Sequence, residues 1–485
     1  MKLRELLRDV PVRDLRGDLD IEIGGVTPDS RFVKKGWLFV AIPGTTGKDG
    51  ATFIPQAIEK GAAAIVAQSG DADVLVDDAR AALALIAANF YGRPADQLSL
   101  VGVTGTSGKT TTTRMIESIF DASGEPVGLI GTIEYRAGDE KLNADRTTPD
   151  ATVLQEWFAK MVDAGVRHAV MEVSSHALAL KRTYGIRFAA AVFTNLSREH
   201  FDFHKDFEDY FAAKRILFDQ IDRTRKTAVV NIDDEYGRRL IGELGDAAIT
   251  FGRDENADIH PAADFTITVD GLRGTIVTPQ GNVRAESALL GLPNLYNWLG
   301  AIGAALVAGM PLATIEAGIR NLKSVRGRFE RVGDAHPTVI VDYAHKPDAL
   351  EKLLHAVREI AGERRVAIVF GCGGDRDRGK RPQMGDIAAR LADRVIVTSD
   401  NPRSEDPRAI IDEITNGIDG KDYIAITDRR EAISRAIEEA SDDDVIVIAG
   451  KGHETYQYVG AQVLHFDDRE EAEFALQKKT ARNTA

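Results

Sequence analysis

A glycine- and threonine-rich segment between an apolar stretch and a helix-forming stretch has the composition of a phosphate-binding loop. It reads Thr104-Gly105-Thr106-Ser107-Gly108-Lys109-Thr110-Thr111. Glycines let backbone N–H groups approach phosphates, Lys109 can reach β- and γ-phosphates, and Thr110 can ligate Mg²⁺. Val103 stands where the full motif has glycine, so the segment matches a shortened variant. It predicts nucleotide binding, against the alternative of an ordinary Gly/Thr turn.

Two further polar segments follow apolar stretches that read as strands. They are Glu172-Val173-Ser174-Ser175-His176 and Asn195-Leu196-Ser197-Arg198-Glu199-His200. The carboxyl ends of parallel strands are where α/β sheets bind ligands, so both segments are expected beside the phosphate-binding loop. A carboxylate and an imidazole there could hold a second Mg²⁺, although Mg²⁺ prefers oxygen ligands. Structural, hydrogen-bonded histidines are the alternative interpretation.

Lys214 lies in the apolar-aromatic stretch Tyr210-Phe211-Ala212-Ala213-Lys214. A lysine in such a helix normally extends its ammonium group into solvent. Spacing alone therefore predicts a surface lysine without a role.

Four polar clusters follow apolar stretches in the last third of the chain. They are Asp342-Tyr343-Ala344-His345, the run 371–381, Asp400-Asn401-Pro402-Arg403 and Gly450-Lys451-Gly452-His453-Glu454. The run 371–381 combines glycines with four cations, which suits an anion, with a solvated charge run as the alternative. We interpret Cys372 in this run as a packing residue. The clusters together suggest a substrate site.

These motifs belong to elements that predict an α/β protein of three domains, 1–95, 96–330 and 331–485. The first reads as a small α/β unit ending in a helix from Asp78 to Tyr91, and the second as a mainly parallel sheet around the phosphate-binding loop. Residues 255–290 alternate as in an antiparallel hairpin or an edge ribbon, and a helix is expected from Asn297 to Ala308. The third domain reads as four apolar strands in a doubly wound, Rossmann-like arrangement, with a helix from Pro347 to Ala361 and a frayed tail, 478–485.

Composition limits the class of partner. The 485 residues carry a net charge of −14 and 44% hydrophobic residues, typical of a globular protein and unlike a general binder of nucleic acid or anionic membranes. The single cysteine excludes an internal disulfide and a cysteine-based zinc site. No signal-peptide core or membrane-spanning run is evident. We therefore expect a cytoplasmic protein that binds small molecules. A monomer is a separate expectation, which composition does not establish.

The motifs in this order resemble the Mur ligase family along the whole chain, and within it the branch that adds 2,6-diaminopimelate (MurE type). The resemblance is carried by DSR, LFVAIPG, TGTSGKTTTT, RTTPD, MEVSSHAL, FTNLSREHFDFH, YFAAK, LPNLYNWLGA, RGRFERV, VDYAHKPDAL, FGCGGDRDRGKRP, DNPR and GKGHETYQ. It implies an ATP-dependent ligase of peptidoglycan precursor synthesis. ATP would phosphorylate the D-glutamyl carboxylate of UDP-N-acetylmuramoyl-L-alanyl-D-glutamate, and meso-diaminopimelate would then attack the acyl phosphate to form an amide.

The resemblance also implies domain roles and site residues. The first domain would hold the UDP-sugar, the second ATP, and the third the incoming amino acid. Lys109, Glu172, His200 and Lys214 would be catalytic, with Thr110, Glu172, His200 and a carbamylated Lys214 as metal ligands. The UDP-substrate positions would be Ser30, Thr45, Thr46, Gly47, Thr147, Thr148, Ser174 and Arg182. The nucleotide positions beyond Gly105–Thr111 would be Asn294, Asn297, Arg328, Asp342, Tyr343 and His345. The amino-acid positions would be Arg376, Asp400, Asn401, Pro402, Arg403, Gly450 and Glu454.

Arg403 gives the choice of amino acid a physical basis. Diaminopimelate has one more carboxylate than lysine, and a guanidinium can bind it through two parallel hydrogen bonds. Lysine would leave that cation unpaired, so the DNPR segment predicts diaminopimelate.

The sequence departs from the family pattern at Lys48, Arg146, Leu180, Glu199 and Lys346. None of these positions removes a catalytic group. Three alternatives remain: a lysine-adding Mur ligase, a folylpolyglutamate synthase, which the DSR and LFVAIPG segments argue against, and a nucleotide-binding regulatory protein without ligase activity.

Overall fold

The computed structural model describes residues 1–44 and 49–483. The chain forms two compact units. The first contains Met1–His260, Thr278–Gly281 and Asn297–Gly318, and the second contains Pro261–Val277, Asn282–Tyr296 and the chain from Ile319 onward. Both are α/β, which confirms the expected fold class.

The first unit begins with a five-stranded sheet in the order β1-β5-β4-β3-β2. The strands are β1 (Val12–Leu15), β2 (Val26–Thr27), β3 (Leu38–Ala41), β4 (Ala64–Ala67) and β5 (Val74–Val76), and the helices are α1 (Leu3–Leu6), α2 (Ile54–Glu59) and α3 (Ala79–Phe90). The Asp78 carboxylate accepts hydrogen bonds from the N–H groups of Arg80 and Ala81, which caps α3. The helix predicted from Asp78 to Tyr91 is confirmed.

An eight-stranded sheet in the order β13-β12-β11-β6-β10-β7-β8-β9 forms the centre of the first unit. Its strands are β6 (Ser99–Thr104), β7 (Val127–Ile130), β8 (Glu134–Ala137), β9 (Glu140–Asn143), β10 (His168–Glu172), β11 (Ala190–Phe193), β12 (Ala228–Asn231) and β13 (Ala248–Phe251). Its helices are α4 (Lys109–Asp121), α5 (Ala151–Asp163), α6 (Ser175–Ala179), α7 (Phe207–Arg215) and α8 (Glu235–Leu244). All strands are parallel except β8 and β9. The expected mainly parallel sheet is confirmed, and β6 lies between β10 and β11.

The predicted hairpin in 255–290 is present. After β14 (His260–Pro261), strand β16 (Gly271–Val277) pairs in antiparallel fashion with β15 (Thr266–Thr268) and β17 (Val283–Ser287). Helices α9 (Gly291–Val307) and α10 (Leu312–Asn321) follow. The start predicted at Asn297 is wrong, because proline is well tolerated in the first turn of a helix and Pro293 occupies that position in α9.

The second unit contains a six-stranded sheet in the order β18-β19-β23-β20-β21-β22. The strands are β18 (Glu330–Arg331), β19 (Thr338–Asp342), β20 (Val366–Phe370), β21 (Arg394–Val397), β22 (Tyr423–Ala425) and β23 (Val445–Ala449), and the helices are α11 (Pro347–Ala361), α12 (Lys380–Leu391), α13 (Pro407–Thr415) and α14 (Arg429–Glu438). All but β18 are parallel, and separate apolar clusters cover the two faces. The doubly wound arrangement is confirmed, with β18 and β22 added at the edges of the four predicted strands.

The described chain ends with a hairpin of β24 (Tyr456–Val459) and β25 (Gln462–His465), followed by α15 (Asp468–Asn483). The tail predicted to be frayed is therefore helical through Asn483. Lys478 pairs with Glu438 at 2.7 Å, and Lys479 donates a 2.7 Å hydrogen bond to the Ala440 carbonyl. These polar residues anchor the helix, although their polarity alone had predicted a frayed tail. Within residues 1–44 and 49–483, no helix combines the length and the apolar character of a membrane-spanning segment.

Candidate active site

The glycine-rich loop connects the carboxyl end of β6 to the first turn of α4. Gly105 and Gly108 have φ values of +147° and +87°. A Cβ atom on Gly105 would lie 1.9 Å from Thr194 Oγ1, and one on Gly108 would lie 2.5 Å from Asn297 Oδ1. Only glycine therefore fits the loop backbone at these two positions. The loop leads into the N-terminus of α4, and helix N-termini bind anions.

The residues that follow β11 hold this loop in place. Thr194 Oγ1 donates to the Ser107 carbonyl at 2.7 Å, and the Asn195 side chain accepts from the Ser107 N–H at 3.0 Å and donates to its carbonyl at 3.1 Å. Thr106 donates its N–H to the Asn195 carbonyl at 2.9 Å. Lys109 Nζ donates to the carbonyls of Gly105 and Thr106 at 2.9 Å each, so its ammonium group lies within the loop. Thr194 was missed by sequence reasoning, although it follows a predicted strand.

Glu172, at the end of β10, places its carboxylate beside the loop and is 1% exposed. Its Oε2 accepts hydrogen bonds from Thr110 Oγ1 at 2.9 Å and from Thr132 Oγ1 at 3.0 Å, and its Oε1 accepts from the Thr132 N–H at 2.7 Å. A buried carboxylate and a loop hydroxyl form a set of hard oxygen donors, which fits Mg²⁺. The sequence did not single out Thr132, although it follows β7, the parallel neighbour of β10.

A second group of predicted substrate residues lies around the carboxyl end of β10. Thr148 Oγ1 donates to the Glu172 carbonyl at 2.8 Å and accepts from the Ser174 N–H at 3.1 Å. Arg182 donates to the Thr148 carbonyl at 2.7 Å. Thr147 Oγ1 lies 3.1 Å from Thr132 Oγ1. The structure thus brings Thr147, Thr148, Ser174 and Arg182 together beside Glu172.

Lys214 is buried, which corrects the prediction of a surface lysine. The residue is 1% exposed, and its Nζ lies 4.3 Å from the centre of the Tyr210 ring. Burial, reinforced by the nearby Lys109, holds the pKa of its amine well below the usual range. The apolar and aromatic composition of this stretch did not show which side of α7 is buried.

His200 and Lys214 both lie close to the ring of Tyr210. The His200 ring centre is 6.2 Å from that of Tyr210 and 4.9 Å from that of His176. Among the described residues, no group of three His, Cys, Asp or Glu side chains is arranged to hold a metal ion. A second metal at His200 would therefore require a further ligand of another kind.

The remaining predicted residues of the first unit are separate from this cluster or border it. Ser30 Oγ, after β2, donates to Gln56 Oε1 on α2 at 2.7 Å. The predicted loop residues Thr45, Thr46 and Gly47, with Lys48, lie outside the described residues. Asn297 Oδ1 accepts a 3.3 Å hydrogen bond from Thr112 Oγ1 on α4.

Three of the positions that depart from the family pattern are also in the first unit. Arg146 forms a 3.0 Å ion pair with Asp150, Leu180 follows α6 directly, and Glu199 Oε2 lies 3.8 Å from His200 Nε2. In the second unit, Lys346 is the N-cap of α11.

In the second unit, Tyr343 is the centre of an aromatic and cationic cluster. Its ring centre lies 4.6 Å from that of His345 and 4.9 Å from that of His453, and Arg328 Cζ lies 4.8 Å from it. The Asp342 carboxylate accepts 2.8 Å hydrogen bonds from the N–H groups of Phe329 and Ala344. Burial raises the pKa of Asp342, opposed by Arg328 and these two N–H groups. Asn294, on α9, donates to the Leu290 carbonyl at 2.8 Å.

The predicted amino-acid loops converge on a buried lysine. Lys451 Nζ donates to Asn401 Oδ1 at 3.2 Å and to Glu454 Oε2 at 3.4 Å, and its side chain is fully buried. Asn401 also donates to Glu454 Oε2 at 2.9 Å. A Cβ on Gly450 would lie 2.6 Å from Asp400 Oδ2. The structure thus brings together Asp400, Asn401, Gly450 and Glu454, and it adds Lys451, to which the sequence gave no separate role.

Arg403 and Arg376 differ in how they are held. Arg403, with φ +53°, donates from Nη1 to the Gly374 carbonyl at 2.8 Å and from its N–H to the Tyr458 carbonyl at 3.0 Å, and it follows the buried Pro402. Arg376 is exposed and donates to the Asp375 carbonyl. Cys372 is buried, and burial raises its pKa to about 12. Its thiol is therefore not an activated nucleophile.

The fold and these clusters define a protein with a phosphate-binding loop on a parallel sheet and with a second, doubly wound sheet that carries polar strand ends. Residues 22–91 match the description "Mur ligase family, catalytic domain", 103–305 match "Mur ligase middle domain", and 327–452 match "Mur ligase, glutamate ligase domain". The chain belongs to the Mur ligase family.

Curated relatives match nearly the whole chain. A UDP-N-acetylmuramoyl-L-alanyl-D-glutamate--2,6-diaminopimelate ligase from Gloeobacter violaceus is 49% identical, covering 99% of both chains. The protein of the same name from Geobacter metallireducens is 44% identical, also covering 99% of both. A solved structure titled with that ligase name has 33% identity and a TM-score of 0.74, covering 99% of both chains.

Proposed function

We propose that this chain is an ATP-dependent amide ligase that joins meso-2,6-diaminopimelate to the D-glutamate of UDP-N-acetylmuramoyl-L-alanyl-D-glutamate in cytoplasmic peptidoglycan precursor synthesis. The observation that carries the proposal is the Glu172 cluster: a buried carboxylate bonded to the loop residue Thr110 and adjoining Thr148 and Ser174. A phosphate-binding loop thus adjoins polar groups suited to a second substrate. A nucleotide switch would have no need of them.

The reaction has two steps. The D-glutamyl carboxylate attacks the γ-phosphorus of ATP, forming an acyl phosphate and ADP. The neutral diaminopimelate amine then attacks the acyl carbon, phosphate leaves, and the nitrogen loses a proton as the amide forms. Both steps depend on positioning and on neutralising charge.

The loop residues Gly105–Thr111 would bind the phosphates of ATP, with Lys109 as their cation. Lys109 lies within the loop between two carbonyls, from which its ammonium group can move to the γ-phosphate. Asn297 borders the loop at Gly108 and is assigned with Asn294 to the adenine side. Arg328, Asp342, Tyr343 and His345 are assigned to the nucleotide in the second unit.

Thr110 and Glu172 would hold Mg²⁺, since they supply a hydroxyl and a carboxylate in contact with each other. When bound, the cation neutralises charge on the transferred phosphoryl group. His200 and Lys214 are assigned to a second Mg²⁺. Lys214 would act there as a carbamate, because a buried amine with a lowered pKa is a nucleophile toward CO₂ and the product is an anionic oxygen ligand.

The UDP-substrate is assigned to the first domain and to the strand ends beside Glu172. Its residues are Ser30, Thr45, Thr46, Gly47, Thr147, Thr148, Ser174 and Arg182. The amino acid is assigned to the second unit, at Arg376, Asp400–Arg403, Gly450 and Glu454. We keep the predicted domain boundaries, 1–95, 96–330 and 331–485, and a monomeric state as part of the proposal.

The test is phosphate release from ATP and Mg²⁺ with UDP-N-acetylmuramoyl-L-alanyl-D-glutamate, comparing meso-diaminopimelate, L-lysine and no amino acid. We expect release only with diaminopimelate, together with a product heavier by one diaminopimelate residue. Release with lysine alone would retain the ligase and reject the amino-acid assignment. Release that is independent of any amino acid would reject the ligase.

A further inference from the structure

Arg429 and Asp468 form a fully buried ion pair in the second unit. Both side chains have 0% exposure. Arg429 Nε donates to Asp468 Oδ1 at 2.7 Å, and Nη2 donates to Oδ2 at 2.7 Å. Arg429 is the first residue of α14 and Asp468 the first of α15, so the pair joins the amino-terminal ends of two helices.

The same guanidinium also bonds two strand ends of the sheet. Nη1 donates to the Ser399 carbonyl at 3.3 Å, and Nη2 donates to the Ala449 carbonyl at 3.0 Å. Ser399 directly precedes Asp400, and Ala449 directly precedes Gly450. Strands β21 and β23 are separated in the sheet by β20, so Arg429 bridges ends that do not pair with each other.

An ion pair is not needed at this place for packing alone. The apolar cluster on this face of the sheet includes Ile433, Ala472 and Ala475, which lie on the same two helices. Replacing a buried ion pair with apolar residues of similar volume is often neutral or stabilising, so such a pair is weak evidence for a role in stability. An apolar side chain, however, could not donate hydrogen bonds to the Ser399 and Ala449 carbonyls.

The two strand ends begin the loops to which the amino acid is assigned. These loops are cross-linked beyond Arg429, because Gln457 donates to the Asp400 carbonyl at 2.7 Å and Asn401 donates to Glu454. Their carboxylates, Asp400 and Glu454, lie close enough to Arg429 that their fields stabilise its charged form. A displacement of either strand end would therefore move groups that must match the two ends of a diamino acid.

We propose that Arg429, held by Asp468, is a positioning residue for the amino-acid substrate: it sets the spacing between the Asp400–Arg403 and Gly450–Glu454 loops without touching the substrate. This inference rests on the proposed ligase function. Its signature is a selective loss of amino-acid use, since misplacing binding groups by about 1 Å can cost on the order of 100-fold in rate.

The deciding variant carries Arg429→Met together with Asp468→Leu, which removes both buried charges and leaves neither unpaired. We expect the KM for meso-diaminopimelate to rise about 10-fold or more while the KM for ATP changes less than about 2-fold, as displaced loops predict. Arg429→Lys keeps the charge but not the planar fork, so it should show the same selective change at smaller size.

The matched control is Arg358→Met. Arg358, which is partly exposed, donates to the carbonyls of Arg364 and Leu391 and to the Asp393 carboxylate, a similar set of acceptors near the amino-terminal ends of strands in the same sheet. Its loss should leave both KM values unchanged, because the residues it bonds lie at the amino-terminal ends of β20 and β21, away from the assigned loops.

Thermal unfolding is measured first, to show which variants are folded. If the double variant is unfolded, the change in KM for the amino acid is compared with the change in KM for ATP in Arg429→Lys instead. Unchanged KM for the amino acid, or an equal rise for amino acid and ATP, would overturn the positioning role. If the wild-type protein forms no amide with diaminopimelate or lysine, the ligase proposal has failed instead. If the wild-type protein uses lysine, the KM for lysine takes the place of the KM for diaminopimelate in this comparison.

Discussion

The side-chain amine of Lys214 donates a 2.7 Å hydrogen bond to the carbonyl oxygen of Gly105, the first glycine of the phosphate-binding loop. A fully buried lysine is costly unless it is neutral or its charge is compensated. Addition of CO₂ to the neutral amine forms a C–N bond, releases a proton and leaves an anion beside the loop. The contact thus connects α7 to the loop where ATP is assigned.

Lys214→Ala should therefore lose most ligase activity, on the order of 100-fold, because it removes an assigned ligand. Added short carboxylates such as formate or acetate should restore part of the rate by supplying oxygen ligands in the vacated space. Lys205→Ala, an exposed lysine preceding α7, is the control. Wild-type rates for Lys214→Ala would show that the buried amine is structural only.

Local sequence predicted the elements around the loop well, because their signals are local. The glycines between β6 and α4 determine a turn, and Pro347 and Gly362 mark the two ends of α11. Contacts between distant segments were not predictable in this way. Thr132 reaches Glu172 across 40 positions, and Arg429 reaches Asp468 across 39.

Lys214 shows the limit more directly. Its helix contains aromatic and alanine residues on several sides, so periodicity does not tell which side meets the sheet. The resemblance to the Mur ligase family supplied a role that the residues alone could not. The tail illustrates the same limit, because its lysines read as solvent-exposed and in fact hold α15 against Glu438 and Ala440.

Glu172→Gln should raise the Mg²⁺ concentration needed for half-maximal phosphate release by about 10-fold or more, since an amide is a weaker ligand for a hard cation than a carboxylate. The amide retains an oxygen for the Thr132 N–H, so the fold should persist. Glu156→Gln, at an exposed position of α5, is the matched control. An unchanged Mg²⁺ requirement in Glu172→Gln would remove Glu172 from the metal site.

Arg403→Ala should reduce kcat/KM for diaminopimelate by about 100-fold, since truncating one partner of a desolvated charge pair costs about 2–5 kcal/mol. The KM for ATP should be nearly unchanged. Arg408→Ala removes a nearby exposed arginine, paired with Asp412, and should have little effect on either. Equal losses for ATP and diaminopimelate in Arg403→Ala would indicate that the Gly374 contact is structural rather than selective.

His453 should make the second unit sensitive to acid. Its Nδ1 is buried and has no hydrogen-bond partner within the described ranges 1–44 and 49–483, and its ring packs against Tyr343. Burial, reinforced by Arg328, Arg326 and His345, lowers the pKa of His453 to about 4. The imidazole is therefore neutral in the folded protein at pH values where the unfolded chain is already protonated.

The sign of the effect follows from proton binding. Between pH 6.5 and 4 the unfolded state binds more protons than the folded state at this residue, so the free energy of unfolding falls as the pH falls through that window. His453→Gln removes this contribution. Between pH 7 and 4.5, the free energy of unfolding of the variant should therefore fall by about 2 kcal/mol less than that of the wild-type protein. The other histidines are present in both proteins, so the difference between the two isolates His453. Urea unfolding at pH 7, 5.5 and 4.5 measures this difference. If the free energy of unfolding fell equally with pH in the two proteins, His453 would titrate as an exposed histidine.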